Sequence, residues 1–350
     1  MHAASGDPRF GVRPNYPMII LGLETSCDET SAAVVVDGRR VLSNVIHSQL
    51  VHRRFGGVVP ELAGREHIRR IVPIMNEALG AAGKTLADID GFAATFGPGL
   101  VGALLVGLSF AKALAYSTGR PFYAVNHLEG HIAANLLAHE ELGEEFLTLL
   151  VSGGHTMLVG VNGFGNYTVM GRSLDDASGE AFDKVAKILG LGYPGGAAID
   201  DLAKTGNPAY IRFPRALPDP ARIDFSFSGL KTAVALYVKN HPPEEIQHHL
   251  ADIAASFQEA AVDALCDKTV IALRRTGLSV LALSGGVAAN SRLRAKLQAA
   301  CDHLGVRLVY PPSELCTDNA AMIAAAGAIH LLRGEQSPFD INAIPYQKLI

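Results

Sequence analysis

The stretch Pro121-Phe-Tyr-Ala-Val-Asn-His-Leu-Glu-Gly-His131 decides the fold class of this chain. Its apolar first half is typical of a buried strand. The two histidines that follow are four residues apart, the spacing of one helix face. A strand that leads directly into a helix is where open α/β sheets place their ligands. We therefore predict an α/β protein with a ligand at this junction.

The two histidines suggest a metal site. On a helix, His127 and His131 lie one turn apart, and both imidazoles can reach one divalent ion. Asp318, just before an alanine-rich segment that we expect to be helical up to Leu332, can complete a two-histidine, one-carboxylate set, which suits iron(II) or zinc. Two alternatives stay open. Among 13 histidines a chance pair is easily found, and Asp318 can simply cap its helix.

The strand-to-turn pattern recurs along the chain, each time with glycines in the turn. The glycine-rich turns are Phe96-Gly-Pro-Gly-Leu-Val-Gly102, Ser152-Gly-Gly-His-Thr156, Tyr193-Pro-Gly-Gly-Ala-Ala-Ile-Asp200 and Ser284-Gly-Gly-Val-Ala-Ala-Asn290. Repeated strand-Gly-Gly elements indicate phosphate or nucleotide edges contributed by two halves of the protein. Asp183 and Asp200 can accept hydrogen bonds from ribose hydroxyls, with solvated helix acids as the alternative.

Length and net charge indicate the number of domains and the kinds of partner to expect. The length suits two domains, and a net charge of −4 gives no overall attraction to nucleic acid. The charge of one region, residues 39–70, differs from this average. It contains seven arginines and only two acidic residues, Glu61 and Glu66. The arginines are Arg39, Arg40, Arg53, Arg54, Arg65, Arg69 and Arg70. This strip is either a phosphate-facing surface for RNA or a protein partner, or a solvated helix face.

Several other classes are disfavoured. Four cysteines without a C-x-x-C pair indicate neither a zinc knuckle nor a disulfide framework, and fit a reducing cytoplasm. The longest apolar run, Leu100 to Ala111, is too short and too glycine-broken to span a bilayer. Residues 1–17 resemble a flexible extension rather than a signal peptide. Ser228-x-x-Lys231 matches a serine acylase spacing, but its companion motifs are missing, so we reject that interpretation.

Five motifs in order give a specific resemblance. They are Glu24-Thr-Ser-Cys-Asp-Glu-Thr30, His127-Leu-Glu-Gly-His131, Leu150-Val-Ser-Gly-Gly-His-Thr156, Ser284-Gly-Gly-Val-Ala-Ala-Asn290 and Cys316-Thr-Asp-Asn319. From about Met18 to about Leu332, the chain resembles the bacterial-type tRNA N6-adenosine threonylcarbamoyltransferases, formerly called O-sialoglycoprotein endopeptidases or glycoproteases. Residues 1–17 lie outside the pattern.

The resemblance implies a fold and a division into domains. The fold is the duplicated actin/sugar-kinase/Hsp70-like α/β fold, with two lobes and an active site in the cleft between them. We expect a flexible extension at 1–17, an N-terminal lobe at 18–125 and a C-terminal lobe at 126–320. A C-terminal helix and tail at 321–350 are expected to pack back on the N-terminal lobe.

The resemblance also implies the site. It assigns His127, His131 and Asp318 to one divalent metal per subunit, Fe²⁺ in preference to Zn²⁺. Threonylcarbamoyl-AMP is expected to be held by Leu150, Val151, Ser152, Gly153, Gly154, Asp183, Gly196, Asp200 and Asn290. By analogy, Asp183 and Asp200 face the ribose, Gly196 and Asn290 the nucleoside, and the Ser152-Gly-Gly turn the acyl-phosphate end. No general base is identified.

The implied activity is acyl transfer to tRNA in the cytoplasm. The threonylcarbamoyl group moves to N6 of the adenosine 3′ of the anticodon in tRNAs that read ANN codons, and AMP is released. The implied partners are a shorter paralogue without the metal histidines and a small P-loop ATPase, with a separate synthase supplying the adenylate. No membrane association is expected.

Two rival functions remain. An ATP-dependent kinase or ATPase of the same fold would use an acidic residue of the first hairpin, such as Asp28, for magnesium. A metalloprotease would place a glutamate beside the first histidine, as in H-E-x-x-H. Here Leu128 occupies that position and Glu129 the next, which turns the carboxylate by about 100° around a 3.6-residue helix.

Overall fold

The computed structural model describes residues 17–350 of the chain, apart from the side chain of Arg53, and divides them into two compact units. Unit 1 contains residues 17–52, 58–141 and 318–349, and unit 2 contains 53–57, 142–317 and 350. The extension predicted at 1–17 therefore falls almost entirely outside the described residues.

Unit 1 has one five-stranded sheet with helices against it. Its strands are β1 Ile19–Glu24, β2 Glu29–Val36, β3 Arg40–Ser48, β4 Gly91–Gly97 and β5 Phe122–Asn126. Its helices are α1 Pro60–Ala81, α2 Val101–Thr118, α3 His127–Ala138 and α11 Ala320–Leu332. The sheet order is β3-β2-β1-β4-β5, with an antiparallel meander of three strands followed by two parallel strands.

Unit 2 repeats that plan. Its strands are β6 Glu145–Val151, β7 Thr156–Asn162, β8 Tyr167–Arg172, β9 Val280–Ser284 and β10 Arg307–Val309. Its helices are α4 Ser178–Ile188, α5 Gly195–Ala203, α6 Ser228–Asn240, α7 Pro243–His248, α8 Leu250–Thr276, α9 Ser291–Leu304 and α10 Ser313–Cys316. The order β10-β9-β6-β7-β8 is again a meander plus two parallel strands. The predicted duplication is confirmed.

The units divide the chain at other points than the domain boundaries expected from sequence. The expected boundary at 125/126 separates β5 from α3, whereas the first long segment of unit 1 continues to residue 141. Helix α3 stays with unit 1 because it packs against α11, and α11 packs in turn against β1 and β4 of the same sheet. The C-terminal helix and tail, residues 321–349, also belong to unit 1.

Close packing of α11 depends on small residues. A Cβ at Gly22 of β1 would lie 2.5 Å from the carbonyl oxygen of Ala320, and one at Gly130 of α3 would lie 2.7 Å from Cδ1 of Ile323. Real Cβ atoms do not approach other atoms so closely. A larger residue at Gly22 would therefore push the α11 backbone away, whereas one at Gly130 would displace the Ile323 side chain. The glycines therefore let the start of α11 reach both β1 and α3.

Helix α2 is longer than its apolar run suggested. It continues from Val101 to Thr118, and these 18 residues are long and apolar enough to cross a membrane by length and composition alone. Leu104, Leu108 and Ala111 are buried, and Leu108 and Ala111 belong to the core cluster of unit 1. One face of α2 packs against β4 and α1, which is the position of a core helix.

Candidate functional site

One candidate site is a cluster of three side chains in unit 1. His127, His131 and Asp318 each offer one ligand atom, and these atoms all lie within 4.8 Å of one another. Asp318 Oδ1 lies 3.5 Å from His127 Nε2 and 3.2 Å from His131 Nε2. The structure thus brings together the three residues of the expected metal set.

Local structure explains the placement of the two imidazoles. Helix α3 begins at His127, directly after β5, and the Asn126 side chain caps it by accepting from the Leu128 N–H. His127 and His131 then project from the same face of the first turns. Capping of α11 by Asp318, the alternative considered above, is not observed, because Asn319 accepts from the Met322 N–H instead.

The donor set fits a divalent cation. His131 is fully buried, and neither of its ring nitrogens makes a hydrogen bond within the described part of the chain. Burying an imidazole without a partner is costly, and a bound metal ion removes that cost. Two imidazoles and a carboxylate are ligands that suit iron(II) or zinc.

The field around the cluster is negative. Burial first, and then repulsion from Asp318 and Asp28, raises the pKa of Glu29 to about 9. Burial opposes protonation of His127, but the carboxylates of Asp318 and Glu24 outweigh it and raise the pKa of His127 to about 9. Carboxylates concentrated in this way favour a cation, and metal binding would displace the proton from His127.

Glu129 does not face the cluster. Its Oε2 lies 3.1 Å from Nε2 of His330 on α11, and the ring of His330 stacks on Tyr123 at 4.1 Å. A protease-type mechanism needs a glutamate that can reach metal-bound water. The engagement of Glu129 with His330 is the structural counterpart of the shifted position noted in the sequence.

A separate candidate site is a cavity of about 350 Å³ in unit 2. Five of the sequence-predicted residues line it: Gly153, Asp183, Gly196, Asp200 and Asn290. Nine residues that the sequence had not singled out for ligand binding complete the lining, namely Gly179, Phe182, Pro194, Ala197, Asp201, Gly286, Val287, Ala289 and Thr317. Most of these lie within the glycine-rich motifs or beside Asp183, so the turns were the available signal.

Four predicted residues are placed differently. Leu150, Val151, Ser152 and Gly154 are not among the described residues that line the cavity. The side chains of Leu150 and Val151 are fully buried in β6, so any ligand contact from them would have to come from the backbone. Gly153 is the member of this motif that reaches the cavity wall.

Helix starts hold the polar groups of the cavity. Asp183 Oδ1 accepts from the Gly195 N–H at the start of α5, at 2.7 Å. Asp200 accepts from the backbone N–H and the hydroxyl of Ser291. Asn290 caps α9 through the Leu293 N–H and donates to Gln258 Oε1 at 2.8 Å. An asparagine side chain has two donors and two acceptor positions, so Asn290 retains one of each for a ligand.

Glycines bring backbone close to this cavity. Gly285 has φ +88°, and a Cβ there would lie 2.4 Å from the carbonyl oxygen of Val151. A Cβ at Gly179 would lie 2.5 Å from the carbonyl oxygen of Ser152. At Gly285 and Gly179 a larger residue would not fit without a shift of the backbone.

The arginine strip is partly neutralised. On α1, Arg65 pairs with Glu61, while Arg69 and Arg70 both pair with Glu66. Arg39 donates to the carbonyl oxygen of Leu136, and Arg54 belongs to unit 2. Exposed ion pairs of this kind are typical of a solvated helix face. A nucleic-acid role for the strip stays a prediction.

Comparison with known proteins decides the family. The family model for tRNA N6-adenosine threonylcarbamoyltransferase (TsaD) matches residues 40–325. The chain belongs to this family. A relative of that name from Anaeromyxobacter dehalogenans (strain 2CP-C) is 56% identical over 94% of this chain and 99% of its own length. One from Clostridium botulinum (strain 657 / Type Ba4) is 51% identical over 94% and 97%. The protein is therefore an enzyme, a transferase of tRNA modification, and tRNA is its substrate.

Solved structures agree on the fold. HypF from T. kodakarensis superimposes with a TM-score of 0.63 at 14% identity, covering 93% of this chain and 49% of that chain. Component A of (R)-2-hydroxyglutaryl-CoA dehydratase from Acidaminococcus fermentans gives 0.54 at 14% identity, with coverages of 90% and 99%. These similarities confirm the actin/sugar-kinase/Hsp70-like architecture expected for the family.

Proposed function

We propose that this transferase moves the threonylcarbamoyl group from threonylcarbamoyl-AMP to N6 of the adenosine 3′ of the anticodon in tRNAs that read ANN codons. The observation that carries the proposal is the cavity of unit 2, where Asp183, Gly196, Asp200 and Asn290 converge. Family membership supports threonylcarbamoyl transfer to tRNA N6-adenosine, and the cavity supports a nucleotide as the donor's leaving group.

The cavity suits an adenylate in size and chemistry. Its volume lies near the lower end of the roughly 300–1,000 Å³ typical of small-molecule sites. Phe182, Pro194 and Val287 offer apolar surface for a base. Asp200 is acceptor-only with about four lone-pair positions, of which Ser291 uses two, so it can also accept from ribose hydroxyls.

The reaction depends mainly on how the adenosine N6 is positioned against the carbamoyl carbon. The adenosine N6 attacks the carbamoyl carbon of a mixed anhydride, a C–N bond forms, and the C–O bond to AMP breaks. The leaving group is a stable phosphate monoester, and the proton lost from N6 passes to solvent. Because the aromatic amine is a poor nucleophile, holding it against the carbonyl lowers the barrier. Residues of the cavity hold the adenylate for this attack, and an anticodon-loop base can be splayed out to reach it.

We further propose that His127, His131 and Asp318 bind one divalent metal, Fe²⁺ in preference to Zn²⁺. The buried ring of His131, whose nitrogens make no hydrogen bond within the described residues, supports a metal in this cluster. When bound, such an ion stabilises negative charge that develops on phosphate or carbonyl oxygen.

A transfer assay tests the reaction. Purified threonylcarbamoyl-AMP and unmodified tRNA are incubated with the enzyme, with and without the partner proteins, and digested nucleosides are analysed by mass spectrometry. We expect threonylcarbamoyladenosine from the wild type and none from a His127→Ala variant that binds AMP normally. Consumption of the adenylate or cleavage of ATP without modified tRNA would favour a nucleotide hydrolase instead.

We propose that the shorter paralogue docks on α1 and α2. These helices cross closely, since a Cβ at Gly64 would lie 3.5 Å from the carbonyl oxygen of Gly102. Ile68, one turn beyond the crossing on α1, and Leu105 on α2 are exposed, as is Val72. Neighbouring apolar helix faces of this kind suit a partner that adds helices of its own.

Charge substitutions on that surface test the docking. Ile68→Glu and Leu105→Lys are expected to abolish co-purification with the paralogue while metal content stays unchanged. Glu77→Lys, also on α1, serves as a control for added charge. Normal co-purification of both apolar-face variants would reject this surface.

The small P-loop ATPase remains a proposed second partner. The compartment that we propose is a reducing cytoplasm, which the four free cysteines support.

A further inference from the structure

The carboxylate of Glu24 is the most fully engaged acidic group beside the metal cluster. Glu24 ends β1, and its side chain is completely buried. Its Oε1 accepts from the Ser26 N–H, and its Oε2 accepts from the Thr95 hydroxyl at 2.7 Å. The same Oε2 lies 3.1 Å from Nδ1 of His127. Three donors thus converge on a carboxylate that water does not reach.

Glu24 is a hydrogen-bond acceptor toward its other partners. Its Oε1 accepts from the Ser26 N–H, and its Oε2 accepts from the Thr95 hydroxyl. The same Oε2 offers a further lone pair to Nδ1 of His127. In this contact Nδ1 is therefore the donor and carries a proton.

We infer that Glu24 is a positioning residue that holds His127 in the tautomer with Nδ1 protonated, so that Nε2 presents its lone pair to the metal. This inference rests on the proposed metal site. Histidines that ligate metals commonly donate their other N–H to a carboxylate, which fixes the ring orientation and makes the ligand more basic. The Ser26 hydroxyl lies 3.2 Å from the same Nδ1 and can share its proton, while Glu24 Oε2 lies at 3.1 Å.

His131 lacks this support. Its Nε2 lies 3.2 Å from Asp318 Oδ1, but neither ring nitrogen makes a hydrogen bond within the described part of the chain. The two ligand histidines are thus held by different means. Changes at Glu24 are expected to act on His127 alone.

Isosteric substitution separates this role from a structural one. In Glu24→Gln, the amide can turn its NH₂ toward Nδ1, which would then have to accept, and the proton would move to Nε2. We expect metal affinity to fall by about 10- to 100-fold, as at other carboxylates that orient a ligand histidine. Affinity is measured by titrating the metal-free chain with Co²⁺ and with Zn²⁺, using calorimetry and the Co²⁺ absorption spectrum.

Glu129→Gln is the matched control. Glu129 is also a buried carboxylate, also 3.1 Å from a histidine nitrogen, and it lies on α3 between the two ligand histidines. Its partner, however, is His330. The control variant should bind Co²⁺ and Zn²⁺ within twofold of the wild type. Equal affinity of Glu24→Gln and the wild type would overturn the inference, and so would an equal loss in both variants.

A second measurement needs no variant. In the Zn²⁺-loaded wild type, ¹⁵N chemical shifts of the His127 ring report which nitrogen carries the proton and which the metal. We expect a proton on Nδ1 and zinc on Nε2, and zinc on Nδ1 would overturn the inference even if Glu24→Gln failed to fold. Wild-type chain that binds neither Co²⁺ nor Zn²⁺ would instead remove the proposed metal site itself.

Discussion

Units 1 and 2 build different chemistry on one topology. In both, a three-strand meander is followed by two parallel strands. The first hairpin of unit 1 joins Glu24 to Glu29 through a turn rich in acids and hydroxyls. The first hairpin of unit 2 joins β6 to β7 through Ser152 and two glycines. The same position in the fold thus carries charge in one unit and open backbone in the other.

This difference between the two units matches the different ligands that we propose for them. The cluster of unit 1 uses side-chain donors in a buried, negative setting, which suits a cation. The cavity of unit 2 uses glycines and helix starts, which let a nucleotide approach backbone N–H groups. Substitutions in one site should therefore weaken binding of its own ligand and leave binding of the other ligand unchanged.

The largest effect is expected from His131→Ala. Removing this proposed ligand should abolish metal binding and lower transfer by about three orders of magnitude or more, since a metal supplies several kcal/mol of charge stabilisation. AMP binding in unit 2 should stay unchanged, as measured by calorimetry. Full activity of wild-type enzyme after removal of its metal would contradict this expectation.

Two neighbouring glycines test the role of open backbone. Gly285→Ala would force a Cβ against the Val151 carbonyl at a positive φ, at a cost of about 2–3 kcal/mol in unfolding free energy. At Gly286, nothing in the described part of the chain lies within 4 Å of an added Cβ. Gly286→Ala should therefore keep its stability and lose only AMP affinity, because it lines the cavity. Urea denaturation of both variants checks this, and equal stabilities would argue against the close approach.

A smaller effect is expected at Asp183. Asp183→Asn keeps an oxygen for the Gly195 N–H but loses the charge proposed to face the ribose. AMP affinity should fall by roughly 10-fold, the lower end for a hydrogen bond to a charged group. Metal affinity in unit 1 should not change. Asp302→Asn, on the far end of α9, is the control, and unchanged AMP affinity in Asp183→Asn would reject the assignment.

The smallest effect concerns acid stability. Hydrogen bonding to Arg292 first, together with the ion pair to Lys296, lowers the pKa of Glu259 to about 2. Because the folded-state pKa is depressed, the stabilisation is present above the ordinary pKa of about 4.5 and is lost as the pH falls toward 2. Allowing for solvent screening, Glu259→Gln should lower stability by about 1 kcal/mol at pH 7.

The control for this prediction is the exposed pair between Glu180 and Lys184. Glu180→Gln should change stability little at any pH. Thermal unfolding between pH 7 and pH 2.5 distinguishes the two variants. The difference in stability between wild type and Glu259→Gln should shrink as the pH falls. A difference that stays constant would mean that the ion pair is not its cause.

Much of the fold could be predicted from the sequence. Strand β5 and the start of α3 follow from the pattern of Pro121–His131, and α11 ends at Leu332 as expected. Strand β3 was not predicted, because this strand at the sheet edge alternates poorly and only Ser43 is buried. Strand β8 was missed for the same reason, since Thr168 and Arg172 are exposed in a six-residue segment.

The site was predictable where local spacing carried the signal. His127 and His131 fall on one helix face because four residues make about one turn. The glycine pairs were visible in the sequence itself, although of these positions only Gly285 has a backbone conformation that favours glycine. Leu150 and Val151, by contrast, were named with their motif, yet their side chains face the core, which a motif cannot reveal.

By itself, the sequence determined which donors exist and which of them are near neighbours along a helix or a turn. Only the tertiary structure decided which distant groups meet. Glu24 reaches His127 across 103 residues, and Glu129 turns to His330 across 201. The reason is physical: such contacts depend on how β1, α3 and α11 pack, and that packing is set by glycines such as Gly22 and Gly130 rather than by the residues that meet.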